Sequence, residues 1–207
     1  MSDFSESSDL DIDQVDEIAH WFELDISALV ATNHQLVIDA IANLEAQEIA
    51  QTKEMLGDQE WEVVDSTVRF QESFYRSLRR AAHHLALVGL VTRFQHWIDQ
   101  LAIQSAIRSS RNGDSKVIDQ LVALNASLGA GPVPIPFFAD SVTARDSIVQ
   151  ADSKAQWQHH GKLRTVADRY RNGSDLELTD DELKEAIAKA IQQVKWYDAR
   201  VASLLRR

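Results

Sequence analysis

Between residues 138 and 154 the chain reads FADSVTARDSIVQADSK, and its chemistry-bearing part is Arg145-Asp146-Ser147-Ile148-Val149-Gln150. On a helix, side chains four residues apart project about 40° from one another, so Asp146 and Gln150 fall within hydrogen-bonding reach. A carboxamide at 150 can bind a phosphate or a hydroxyl, but it does not titrate near neutral pH and cannot act as a general base. Read without further context, Arg145 is a surface cation in an ion pair. Other chemistry-bearing groups are sparse. The adjacent pair His83-His84 lacks the i, i+4 spacing and the acidic partners of a zinc helix, so no metal site is expected there. Arg76, Arg79 and Arg80 form a basic cluster with Arg69 and Arg93. Such a cluster either pairs with carboxylates or meets nucleic-acid phosphate. No phosphate-cradling glycine loop, nucleophile elbow or paired-carboxylate motif is present.

The segment TARDSIVQADSKAQW resembles the part of HEPN-like proteins in which Arg, a small polar residue and a short helical run lead to His. The later ELTDDELKEAIAKAIQQVKWYDARV is similar to the tail of a bacterial HEPN-like subfamily. The resemblance spans about residues 139–204, and extends more loosely to a long helix from Phe70 to Leu101. It implies metal-independent RNA cleavage in a cleft where two protomers bring their motifs together. In that cleft Arg steadies phosphate charge by bidentate contacts, and His moves protons to or from the 2′-hydroxyl and the leaving oxygen. Arg145, Asp146 and Gln150 occupy the motif positions here, with Gln in place of the catalytic His. Relatives often carry Glu in the middle of the scaffold helix, where this chain has Gln95 in VTRFQHW. Two neutral amides where titratable groups are expected describe a degenerate site. His159-His160 are the candidates to supply an imidazole from a nearby loop. RNA phosphate would be met by Arg145, Lys154, Arg76 and Arg80.

The totals set the frame. With 207 residues the chain is long enough for one substantial core. It contains no cysteine, which excludes disulfides, thiolate metal sites and a cysteine nucleophile. The opening MSDFSESSDLDIDQVDE has neither the basic start nor the apolar centre of a secretory signal. The longest apolar run, Leu85 to Val91, is far short of the roughly 18 residues that span a bilayer. A cytoplasmic protein is expected. The net charge is −11, and no Lys or Arg precedes Lys53. The acidic leading part either keeps the chain soluble or docks on a basic surface of this chain or a partner.

Residues 1–14 read as an acidic, flexible arm and 15–207 as a single helical domain. Val15, Ile18, Ala19 and Phe22 mark a first helical face, and Trp21 and Phe22 are expected to dock it. A second helix is expected from about Ser27 to Leu56, broken at Gly57-Asp58. A third, from Ser66 to Ser109, carries Phe70, Phe74, Leu78, Ala81, Leu85, Val88, Val91, Phe94, Ile98 and Leu101, which look like one apolar stripe. Gly89 lies inside it as a site of close helix packing. After a turn at Asn112-Gly113-Asp114 and an amphipathic stretch 115–128, prolines 132, 134 and 136 predict an extended connection. Asp140 or Ser141 is the expected N-cap of the helix bearing Arg145. Residues 156–178 read as loops or a small hairpin. Thr179-Asp180-Asp181-Glu182 is a capping box opening a last amphipathic helix.

The expected fold is therefore all-α, a helical bundle with long antiparallel helices, HEPN-like by resemblance. The expected function is non-catalytic: RNA binding or partner binding in a bacterial defence or stress system, as a homodimer packed along its long or C-terminal helices. Neither a cofactor nor a metal is expected. One alternative is an active endoribonuclease that takes its imidazole from elsewhere. Another is a helical adaptor that binds proteins through the acidic N-terminus or the C-terminal helix.

Overall fold

The computed structural model describes residues 12–57, 61–104, 135–150 and 174–205, and apart from short connections these are helical. Helix α1 spans Ile12–Asp25 and passes without a break through a π-helical segment, Ile26–Thr32, into α2, Asn33–Leu56. Helix α3 spans Trp61–Gln104, α4 Ile135–Gln150 and α5 Asp180–Leu205. The protein is all-α over these residues. No described helix is long and apolar enough to cross a membrane.

The first two expected helices are thus one continuous rod. Both residues flanking the π segment keep right-handed helical backbone angles, so the chain widens there instead of breaking. Thr32 Oγ1 donates to the Ser27 carbonyl at 2.8 Å across the widened turn. Gly57 ends α2 as expected. Its φ of 33° lies in the region that disfavours side chains, and its N–H donates to the Lys53 carbonyl at 3.1 Å. Helix α3 runs back along α2. The pairs Gln71–Thr52, Arg79–Glu45 and Ala82–Ile41 step in opposite directions along the two helices, which are therefore antiparallel.

One main core gathers Phe22 of α1, Ile26 and Val30 of the π segment, the stretch Leu87–Ile98 of α3, Val142 and Ala144 of α4, Leu176 and Leu178, and the inner face of α5 from Leu183 to Tyr197. Its centre is aromatic. Phe94 and Trp97 lie 5.3 Å apart between ring centroids, Phe22 is 5.9 Å from each, and Tyr197 is 5.5 Å from Trp97. Offset and edge-on contacts of this kind add about 0.5–1.5 kcal/mol per pair beyond burial. A smaller cluster, Ile41, Tyr75 and Ala82, joins α2 to α3 away from this core.

Several expectations are corrected. Trp21 is exposed, and Phe22 alone of that pair docks. The expected α3 stripe divides: Val91, Phe94 and Ile98 are buried, joined by Leu87, Leu90 and Trp97 from outside the stripe, whereas Phe70 and Leu85 are each 74% exposed, with Phe74 and Leu78 also open. Leu36, Val37 and Leu44 of α2 are exposed too. Helix α4 begins at Ile135, ahead of the expected cap at Asp140 or Ser141, and takes Pro136 into its first turn. Proline is tolerated there because the first amides of a helix have no intrahelical acceptor. A side chain at Gly89 would meet Val30 at an ordinary 3.8 Å, so close packing does not demand glycine. The capping box stands as expected: Thr179 N–H donates to Glu182 at 2.8 Å and Glu182 N–H to Thr179 Oγ1 at 3.2 Å. Residues 105–134 and 151–173, which hold the Asn112-Gly113-Asp114 turn, the 115–128 stretch, Pro132, Pro134 and most of the expected loop, lie outside the described residues, as do residues 1–11.

Candidate functional site

Helix α4 carries the motif residues through Gln150, its last residue, and packs against α3 and, less extensively, α5. Ser147 is buried, Ile148 packs against the core and Val149 is exposed. This alternation leaves Arg145 and Asp146 half-buried at the boundary between core and solvent. Arg145 Nε donates to Asp146 Oδ1 at 2.7 Å. Among the described residues, that bond leaves the two Nη groups of the guanidinium fork unengaged. Such a fork suits two oxygens of a phosphate. Lys154, His159 and His160 lie outside the described residues.

The basic cluster on α3 is largely neutralised. Arg69 pairs with Asp65 at 2.9 Å, Arg79 with Glu45, Arg80 with Glu177 at 3.9 Å and Arg93 with Asp25 at 3.0 Å. Two of these carboxylates, Asp25 and Glu45, belong to the lysine- and arginine-free leading part of the chain, and Glu23 from the same part meets Lys195 at 3.3 Å. The acidic segment thus docks on basic residues of its own chain. Arg76 remains exposed on α3. Arg145 with Asp146 and Arg80 with Glu177 form separate pairs that share no carboxylate.

A second cluster forms where the α2–α3 pair meets the start of α5. His34 stands in the first turn of α2, directly after the π segment; His83 lies mid-way along α3; Asp180 is the first residue of α5. His34 Nδ1 and His83 Nε2 lie 3.9 and 4.0 Å from Asp180 Oδ1, and the two imidazole centroids are 5.0 Å apart. Asp180 Oδ2 is held by Lys184 Nζ, one turn along α5. Its Oδ1 has no hydrogen bond, and neither does His34 Nε2 nor His83 Nε2, all of them buried; the His83 ring also meets the Arg79 carbonyl one turn back on α3. Leaving a buried polar atom unpaired costs about 1–3 kcal/mol, so such a concentration calls for a physical cause. The neighbouring His84 behaves differently. Its Nε2–H donates to the Leu176 carbonyl at 2.7 Å and ties the segment before α5 to α3.

Burial lowers the pKa of all three histidines. Asp180 partly opposes the shift at His34; at His83 the neighbouring His34 adds to it while Asp180 and the Arg79 carbonyl oppose it; at His84 the Leu176 carbonyl opposes it. Neutral imidazoles at neutral pH follow, so the approaches of His34 and His83 to Asp180 are not ion pairs. Sequence reasoning missed this cluster because its three members are far apart in the chain. The one available sign was His83 itself, whose partners come from other helices and not from the i, i+4 position. The chain has no match among family models, curated proteins or solved structures.

Proposed function

We propose that this chain is an HEPN-like helical protein that binds RNA without cleaving it, using the Arg145 face of α4, and that it works as a homodimer. The observation that carries this is the half-buried Arg145–Asp146 pair at the rim of the core, with the guanidinium fork unengaged. The carboxamide of Gln150, at the motif's proton-transfer position, can hold an RNA oxygen but cannot shuttle a proton. By resemblance, the setting is a bacterial defence or stress system.

The homodimer is supported by the exposed apolar face of α3. Phe70, Phe74, Leu78 and Leu85 lie within about 80° on a helical projection and are all exposed. An apolar strip of this kind on a soluble chain marks an interaction surface. A two-fold arrangement would set one copy's strip against its partner's.

Fluorescence anisotropy with a labelled structured RNA tests the binding. Arg145→Ala is expected to weaken affinity roughly tenfold or more, as loss of a charged hydrogen bond does, and to flatten the salt dependence. Equal affinity of wild type and Arg145→Ala across the salt range would remove RNA from the proposal. The exposed strip would then favour a second reading, the helical adaptor that binds proteins.

A further inference from the structure

We infer that His34, His83 and Asp180 form a mononuclear site for a divalent transition-metal ion, zinc being the best-fitting probe, with two imidazole nitrogens and one carboxylate oxygen as ligands and a remaining position for water. This site is separate from the Arg145 face and does not depend on the RNA reading.

One ligand atom from each residue lies within 4.8 Å of the other two. Zinc holds nitrogen and oxygen donors at about 2.0–2.2 Å, so neighbouring donors of a tetrahedral site stand about 3.4 Å apart. The two imidazole–carboxylate separations, 3.9 and 4.0 Å, exceed that by about half an ångström, and side-chain rotations must close the three donors from within 4.8 Å of one another. Lys184 occupies the other oxygen of Asp180, so the carboxylate offers a single oxygen inward. His83 Nε2 and the inward oxygen of Asp180 are buried without a hydrogen-bonding partner, and an ion bound between them engages one atom of each residue.

The surroundings hold the ligands in place. The widened turn of Ile26–Thr32 sets the register with which His34 enters α2, and π turns recur beside functional positions. The Thr179–Glu182 capping box fixes the first turn of α5 and hence Asp180. The His84–Leu176 bond anchors the segment leading to it. A mixed imidazole and carboxylate set favours zinc, cobalt, nickel or iron(II) over magnesium and calcium, which prefer oxygen alone. With neutral imidazoles and one carboxylate the occupied site carries a net charge of about +1, which lowers the pKa of a bound water.

The test uses the full chain stripped with a chelator and dialysed. Zinc is titrated in competition with a chromogenic chelator, and thermal unfolding is followed with and without zinc. One ion per chain and a zinc-dependent rise in Tm are expected. His34→Gln, His83→Gln and Asp180→Asn should each lower zinc affinity by at least about ten- to a hundredfold and abolish the rise. Asp180→Asn is nearly isosteric, and its circular dichroism separates lost binding from lost fold. The double variant His159→Gln/His160→Gln, and His20→Gln at an exposed position, should bind like wild type. Failure of the wild type to take up zinc overturns the proposal. So does uptake unaffected by Asp180→Asn and His83→Gln, or uptake lost in the His159/His160 variant.

Discussion

The two halves of α3 are built from the same residue types at the same apparent spacing, yet one half lies in the core and the other faces solvent. From Leu87 to Ile98 its apolar side chains pack against α1, the π segment, α4 and α5; between Phe70 and Leu85, Tyr75 and Ala82 pack on α2 while Phe70, Phe74, Leu78 and Leu85 stand in the open. The cause is helical geometry. A four-residue step advances a side chain by about 40° and a three-residue step sets it back by about 60°. Leu85, Val88, Val91 and Phe94 follow one another in three-residue steps, so over this stretch the stripe turns by about 180°. One run of apolar residues thus serves opposite faces, and His83 and His84 lie near the changeover.

The largest effect separates the two halves directly. Phe94→Ala should cost about 3–5 kcal/mol in denaturant unfolding, because Phe94 is surrounded by Phe22 and Trp97. Phe74→Ala should leave the stability of the monomer within about 0.5 kcal/mol, while weakening self-association measured by sedimentation equilibrium. Equal costs for the two substitutions would show that the outer half is also packed.

A smaller effect is expected at the junction. The folded-state pKa values of His34, His83 and His84 are lowered by burial, so the unfolded chain binds more protons in the window below its ordinary histidine pKa of about 6.5. Stability is therefore full above about pH 6.5 and is lost as pH falls toward and through the lowered values. Lys184 and Arg80, nearby cations, push in the same direction at His34 and His84 respectively. Tm measured between about pH 7.5 and 5 should decline, and His84→Gln should reduce the slope. A flat profile would mean that the junction histidines do not change their protonation on folding.

The smallest effect tests the inner half again. Gly89→Ala should raise stability by up to about 1 kcal/mol, since alanine restricts the unfolded chain and favours helix. The space beside Val30 admits the methyl group at 3.8 Å. Destabilisation would show that α3 and the π segment cannot adjust.

Local chemistry made part of this fold legible from the sequence. Gly57 ended a helix, Thr179 and Glu182 opened one, and the spacing from Leu183 to Tyr197 placed the buried face of α5. What escaped depended on contacts between distant residues. Periodicity identifies apolar residues but not which face finds a partner, so the outer half of α3 was misassigned. Nothing in Ile26–Thr32 announced a π turn, because its amphipathic pattern runs on from α1 into α2. Pro136 argued against helix in a place where the first turn accommodates it. His34, His83 and Asp180 lie in separate segments and meet only once α2, α3 and α5 have packed.

On the reading proposed above, α4 carries an RNA-binding face disabled for cleavage at one residue. Cleavage of a labelled structured RNA in EDTA, comparing wild type, Gln150→His and Gln150→His/Arg145→Ala, tests it most directly. Wild type should leave the RNA intact, Gln150→His should cut it, and the added Arg145→Ala should abolish the cutting. Cleavage by the wild-type chain, or no cleavage by a correctly folded Gln150→His protein, would contradict it.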